Sequence, residues 1–525
     1  MRLRNSIVLW VLLGAASPAA AQHEHAPMHE HAAHEAGLLG VPPTREGSGT
    51  AWQPDSSPMY GWHVPLGAGW SVMLHGNLFA GLDAQGSDRG ATEAFSVNWA
   101  MAMLHGRAGP GELRLRAMLS AEPWTVANGG YPLLLQTGET FEGRPLHDRQ
   151  HPHDLFMELS AQYALALAGD FGVSLYAGLP GEPALGPPAY PHRFSALFNP
   201  AAPIGHHWQD ATHIAFGVLT LGAFTEAVRF EGSVFNGREP DEHRTDIETA
   251  PLDSFSARLQ LALAADWSAQ ISSGRLRDPE QLHPGEDVTR STASITWNRP
   301  GGDGANGATT AVWGANHLHG RTTHGALLED TEVLPGERLV LFGRAELIGK
   351  DAEELALPLP ADEVFTLFGL TLGGIVEFPE VGFLVPGIGA SGTISAIPEG
   401  LRPFYGTRVP VGAFLFVHVR PPSMRMRQVG QAGSTTPVRA ARRASHTRKS
   451  HMPASIEPTK SSRWLAPAPI DAKAGPGHQP PRPQPMPKSA APAIRRASGF
   501  AFGNAGNDPP STGAPRFRMS RRATA

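Results

Sequence analysis

Cysteine is absent from the 525 residues, so the chain holds no disulfide frame, no thiolate metal site and no cysteine nucleophile. Any metal chemistry must use His, Asp, Glu or Met. Charge is scarce as well, at 17% of residues, while Gly (59) and Pro (49) are abundant. That balance favours many turns over long solvated helices and argues against an ordinary multidomain soluble protein. The pattern G-x-S-x-G is missing, which removes the usual serine-hydrolase elbow, and no serine can be paired with a histidine base from sequence. No catalytic residue is assigned, and the chain is read as a non-enzyme.

The one conspicuous apolar run, Ile7 to Ala16, falls short of the roughly 20 residues that a spanning helix needs. It follows Arg2 and Arg4 and precedes Ala19 and Ala21 at the small-residue positions of a cleavage site, so residues 1–21 read as a secretory signal peptide. At the other end, residues 421–525 carry 18 Lys/Arg against 3 Asp/Glu, leaving 25 against 45 for residues 1–420. This basic, Pro/Ala/Arg-rich tail lacks apolar periodicity and reads as disordered, either a solvated extension or translation of a shifted frame. A nucleic-acid partner is not expected from it.

Between these ends the chain alternates apolar and polar residues with a period of two, the signature of strands. In 154–167, Leu155, Met157, Leu159, Tyr163, Leu165 and Leu167 share one face, and Phe156, Glu158, Ser160 and Gln162 the other. In ELRLRAMLS (112–120), Leu113, Leu115 and Leu119 oppose Glu112, Arg114 and Arg116. Tight connections at 108–111, 168–170, 221–222, 264–266, 335–336 and 378–380 alternate with long ones at 121–153, 180–211, 236–253, 277–289, 350–362 and 396–409. This is the layout of a transmembrane antiparallel β-barrel, an all-β fold.

The pattern predicts about sixteen strands: 70–83, 94–107, 112–120, 154–167, 171–179, 212–221, 223–235, 254–263, 267–276, 288–298, 307–316, 325–334, 337–349, 363–377, 381–395 and 410–420. The expected organisation is then a signal peptide (1–21), a His/Met-rich periplasmic leader (22–60), the barrel (61–420) and the tail (421–525). Apolar side chains should face lipid and ionic ones a polar lumen partly occupied by the long loops. Trp70, Tyr176, Trp267, Trp297 and Trp313 are candidates for interfacial girdles.

With its signal peptide, alternating strands and apolar closing strand VGAFLFVHVR (411–420), the chain resembles Gram-negative outer-membrane barrels. More narrowly, HDRQHPHD (147–154), APIGHHWQDATHI (202–214), EGSVFNGREPDE (231–242) and HPGED (283–287) resemble one poorly characterised family of them, met in settings of copper and other heavy-metal resistance. The resemblance spans roughly residues 50–420. It implies a cell outer-membrane location, a channel-like or porin-like barrel handling a small solute or ion, and outer-membrane lipid and the barrel-insertion machinery as partners. The hundred residues after the last strand depart from the usual pattern, in which that strand lies near the carboxyl end.

Two groups of segments carry metal-ligand chemistry. HEHAPMHEHAAHE (23–35) offers His23, His25, Met28, His29, His31 and His34 on a flexible strand, suited to copper, zinc or nickel ions. HDRQHPHD supplies His147, Asp148, His151, His153 and Asp154, and GHHWQDATH supplies His206, His207, Asp210 and His213. Both latter segments end long outer loops and precede descending strands, so their side chains can meet at the barrel mouth. They serve either as metal ligands oriented by carboxylates or as polar residues that hold the loops inward. No cofactor is required on either reading; copper, zinc or nickel are the candidate ions.

Overall fold

Residues 37–127, 129–210, 214–318 and 320–424 are described by the computed structural model. The signal peptide, the His/Met-rich stretch with His23, His25, Met28, His29, His31 and His34, His213 and the basic tail lie outside the described residues.

The first half of the chain forms β1 (Trp62–Gly67), β2 (Trp70–Gly86), β3 (Thr92–Ala108), β4 (Gly111–Leu119), β5 (Tyr131–Phe141), β6 (Arg144–Gln150), β7 (Phe156–Ala166), β8 (Gly172–Gly178) and β9 (Val218–Phe224). The second half forms β10 (Val228–Phe235), β11 (Ser254–Ala264), β12 (Trp267–Arg277), β13 (Asp287–Pro300), β14 (Asn306–Leu318), β15 (Arg321–Val333), β16 (Leu339–Asp351), β17 (Val364–Glu377), β18 (Val385–Ala396) and β19 (Val411–Arg420). Helices are single turns: α1 (Glu122–Thr125), α2 (His206–Gln209) and α3 (Arg402–Tyr405). None is long and apolar enough to cross a membrane.

Sixteen of these strands pair antiparallel with their neighbours, and β19 closes the ring on β2 through the register Val411↔Gly86 to Val419↔Leu78. The remaining three are extras. Strand β1 pairs with the first residues of β2, below β19 on the same edge, and β5 and β6 form a separate hairpin inside the β4–β7 connection. Closure leaves no edge with unpaired N–H and C=O groups, which hydrocarbon could not satisfy.

The two faces separate as the alternation predicts. On β10, Phe230 is 58% exposed beside Arg229 at 3% and Glu231 at 0%. Leu115, Leu119, Leu221, Leu372 and Leu415 point outward with it, whereas Arg116, Glu158, Arg258, Arg344 and Glu346 are buried inside. An exterior of bare leucine, phenylalanine and valine is stable only against lipid, so the wall is that of a membrane-spanning barrel.

Three local expectations are corrected. The turn placed at 221–222 falls instead at Thr225–Ala227, and β9 runs through Gly222. A Cβ there would meet Ser174 Oγ at 2.6 Å and Arg229 Nε at 3.4 Å, so this glycine makes room for an inward arginine rather than for a turn. In β7, register slips between Met118↔Glu158 and Leu119↔Phe156, leaving Met157 as an extra residue. The bulge reverses the local faces: Met157 is buried within the barrel, and Phe156 shares the outward face of Leu119. Tyr176, finally, is no girdle residue, because it is 1% exposed and donates its hydroxyl to Glu158 at 2.9 Å. Trp297 and Trp313 do face outward, and Trp267 stacks on Trp297 at 5.3 Å.

The polar lumen, expected to be partly occupied by long loops, holds two segments of the chain. Residues 37–60, expected as part of a periplasmic leader, fold into the barrel and cross its floor. Glu46 accepts from Arg116 and Arg229, each at 2.9 Å, and pairs with Arg114. Arg116 donates to the Gly49 carbonyl at 2.6 Å, Arg258 to Thr50 Oγ1 at 2.9 Å, and the Trp52 N–H to Gln260 at 2.6 Å.

The described parts of the β8–β9 connection, 179–210 and 214–217, fill the middle. Its backbone is met by the wall: Arg344 donates to the carbonyls of Ala201 and Ala202 at 2.8 Å, Asn77 to Leu197, and Thr331 to Ser195, while Glu346 accepts from the Ile204 N–H at 2.6 Å. A buried segment with little secondary structure needs partners for every peptide group, and the ionic inner face supplies them. Phe79, Phe95, Tyr131, Phe194, Phe198, Phe342 and Phe414 pack between loop and wall as an apolar core within the barrel.

Candidate metal centre

The β5–β6 hairpin returns the chain into the upper lumen, and the residues after it, His151 to Asp154, sit beneath the long loops. The 179–217 loop brings α2 against β14, where a Cβ on Gly314 would meet the Trp208 carbonyl at 2.7 Å. These two approaches place His151, His206 and His207 together, with one ring nitrogen of each within 4.8 Å of the others. Ring centroids are 4.1 Å apart for His206 and His207, 5.2 Å for His151 and His207, and 5.8 Å for His151 and His206.

Each imidazole is oriented through Nδ1. His206 Nδ1 faces the Pro203 carbonyl at 3.2 Å, which also accepts from the His206 backbone N–H at 3.1 Å. His207 Nδ1 lies 3.2 Å from Glu239 Oε1, and His151 Nδ1 lies 3.1 Å from the Pro152 carbonyl and 3.3 Å from Glu139 Oε1. Acceptors at Nδ1 select the Nδ1–H tautomer and leave Nε2 with its lone pair, the arrangement of metal-binding histidines backed by carboxylates. Among the described residues, Nε2 of His151 and of His207 is buried with no hydrogen-bond partner. Burial, together with the neighbouring His207, holds the His151 imidazole well below its ordinary pKa, which favours its neutral form. Glu139 is pushed up to about 7 by burial, against the pull of Arg244.

The other expected ligands do other work. Asp148 pairs with Arg89 at 2.7 Å and accepts from the Leu135 N–H at 2.8 Å and the Tyr405 hydroxyl at 3.1 Å, with His147 half-exposed beside it. His153 lies 2.9 Å from Glu122 through Nδ1 and donates its backbone N–H to the same carboxylate. Although burial opposes its charge, Glu122 and Asp154 raise its pKa. Asp154 faces Arg244 at 3.7 Å, and Asp210 binds Arg193 at 2.8 Å. These residues tie loops to one another and to the wall. Glu139 and Glu239, by contrast, were not singled out in the sequence as orienting groups, because each comes from a different loop and neither has spacing that marks it.

No family model and no curated protein sequence matches the chain. Among solved structures, it is similar in fold to OmpF of Salmonella typhi in complex with daunomycin, at 9% identity over 68% of this chain and 100% of that one, TM-score 0.42. An anion-selective porin from Comamonas acidovorans (9% identity, 67% and 99% covered, TM-score 0.40) and a loop-deletion mutant of OmpT, an outer membrane protein of Vibrio cholerae (11%, 67% and 99%, TM-score 0.40), are similar in the same sense. The likeness is one of architecture and carries no conclusion about activity. The closed sixteen-stranded ring with its apolar exterior defines an outer-membrane β-barrel.

Proposed function

We propose that this barrel handles transition-metal ions in the outer membrane, through a buried site made by His151, His206 and His207, and that its lumen is plugged rather than open to general solutes. Three neutral imidazoles suit zinc, nickel or copper(II), with a fourth position left for water or another ligand. An ion held about 2.0 Å from each nitrogen draws them to roughly 3.3 Å apart, a modest side-chain rotation from the present spacing. Outer-membrane lipid and the insertion machinery are its expected partners, and the His/Met-rich stretch 23–35 is an auxiliary metal-capturing segment.

The observation that supports this reading most is the convergence of three histidines from two distant loops, with the buried Glu139 beside His151 and the part-buried Glu239 beside His207. The near-complete burial of Arg193, Arg229, Glu231, Arg258, Glu329 and Arg344 supports the plugged lumen, since walls of a water-filled channel would be wet. Cobalt(II) titration of the full chain purified from membranes in detergent tests the site. We expect the visible absorption of a low-coordinate cobalt centre, lost in His151→Ala/His207→Ala while heat-modifiable gel mobility is kept. Equal cobalt absorption in that variant would falsify the assignment.

A further inference from the structure

A second cluster of potential ligands lies in the lower lumen, and it is chemically unlike the first. The barrel strands carry five methionines, Met73, Met101, Met103, Met118 and Met157, and all five face inward on the adjacent strands β2, β3, β4 and β7. Cross-strand register sets Met73 beside Met103, and His75 beside Met101, which in turn opposes Met118. The outward face of the same strands uses leucine and alanine instead. The plugging loop lowers His192 onto this patch, where its Nε2 lies 3.3 Å from Met118 Sδ. The His192 ring centroid stands 5.8 Å from that of His75 and 4.7 Å from that of Trp99.

Met59, Met73, His75, Trp99, Met103 and His192 line one cavity there. His75 Nε2 is buried beside it with no hydrogen-bond partner among the described residues. Nitrogen and sulfur ligands about 2.0 and 2.3 Å from a tetrahedral ion stand roughly 3.5 Å apart, close to the His192–Met118 spacing. Thioethers are soft, uncharged and weak ligands for hard or borderline cations, but they favour soft monovalent ones. Glu46 and Arg420 also line the cavity, and Glu158 and Arg116 stand across the strands from Met118 and Met103, so the ionic groups nearby come as opposite charges, while the methionine and histidine set itself is neutral and suits a singly charged ion better than a divalent one.

We propose that His75, His192 and Met118, with Met73 and Met103 in reserve, form a site for a soft monovalent cation such as silver(I) or copper(I). The site is distinct from the upper three-histidine centre in position and in ligand chemistry. Methionine is also a gap-filling core residue, and a patch of five could serve packing alone; the two roles differ in what silver does.

The test uses the full chain purified from membranes in detergent and silver nitrate as the probe, so that no redox step intervenes. Silver retained after dialysis against free methionine is counted by mass spectrometry for the wild type, for His192→Gln/Met118→Leu and for Met73→Leu/Met103→Leu. Leucine keeps the apolar volume, so the second pair maintains the fold if the first does not. We expect the wild type to hold one equivalent more than the first variant, a silver affinity lower by on the order of tenfold or more in the second, and unchanged cobalt binding in both. Silver should also quench a part of the tryptophan emission that Trp99→Phe lacks. Equal silver content and equal quenching in all of the proteins would mean that the sulfurs only fill space, and would overturn the site. Loss of cobalt binding alone would instead count against the upper centre.

Discussion

Arg193, on the loop that plugs the barrel, donates Nε to Glu329 Oε2 on β15 at 2.9 Å, and its Nη1 reaches Asp210 at 2.8 Å. The pair lies across the join between plug and wall, and each partner is almost wholly buried. Removing one member of a buried pair strands the other's charge in a dry interior. Glu329→Ala should therefore cost about 3–5 kcal/mol, read as a lower urea midpoint for loss of the compact electrophoretic form. An unchanged midpoint would show that the arginine finds other compensation.

Occlusion has its own signature. The wild-type chain in planar bilayers should give no steady conductance of the kind an open sixteen-stranded channel passes. Deleting residues 44–57, which removes Glu46 and the contacts of Arg116, Arg258 and Gln260 with Gly49 and Thr50, should raise it. A wild-type protein that conducts freely would remove the plugged-lumen reading.

Gly138 offers a way to disturb the upper metal centre without deleting a ligand. Its φ is +118°, and a Cβ there would stand 2.5 Å from His207 Nε2. Gly138→Ala should displace that ring and reduce cobalt or zinc affinity at least about tenfold, the lower end of the effect expected for disturbed ligand orientation. Equilibrium dialysis against a chelator measures it.

The carboxylates behind the histidines make a related expectation. Glu139→Gln and Glu239→Gln keep shape but weaken the acceptors at Nδ1, so each should lower affinity by roughly 10–100-fold. The same substitutions should leave barrel assembly intact. Affinity equal to that of the wild type would reduce both residues to loop anchors.

On the outside, Leu372 projects from the middle of β17 with 63% of its surface exposed. Leu372→Arg places a charge in hydrocarbon and should cost about 2–4 kcal/mol near the bilayer midplane. Refolding equilibria in lipid vesicles test this. A negligible cost would mean that the face meets protein or water instead.

The wall was legible in the sequence because each strand reports its own two faces. Every one of the sixteen predicted strands has an observed counterpart, from β2 at 70–86 to β19 at 411–420. Errors arose where a local signal had a nonlocal cause. Gly222 looked like a turn but accommodates Arg229, and Met157 looked lipid-facing until a bulge turned it inward. The filling was less legible. Alternating polarity identifies an inner face, yet it does not say whether water or peptide will satisfy that face, and Arg344 meets carbonyls 142 and 143 residues away.

The candidate centre stands between these cases. HDRQHPHD and GHHWQDATH were recognisable as ligand-bearing segments that could meet, and the structure brings three of their residues together. Which three depended on the hairpin β5–β6 and on α2, neither of which carries strong periodicity. The other five described side chains of these segments, His147, Asp148, His153, Asp154 and Asp210, proved to be ties between the loops and the wall. The methionine patch was missed because its members are spread over 84 positions and each looks like ordinary apolar punctuation.

The loop that fills the lumen is continuous at both ends with β8 and β9. It is tethered, so its local concentration is fixed by chain length and no dilution can wash it out. On the plugged-lumen reading, passage of a solute requires this loop to shift while both of its ends stay anchored, so it is set by rearrangement within one molecule and not by the number of copies.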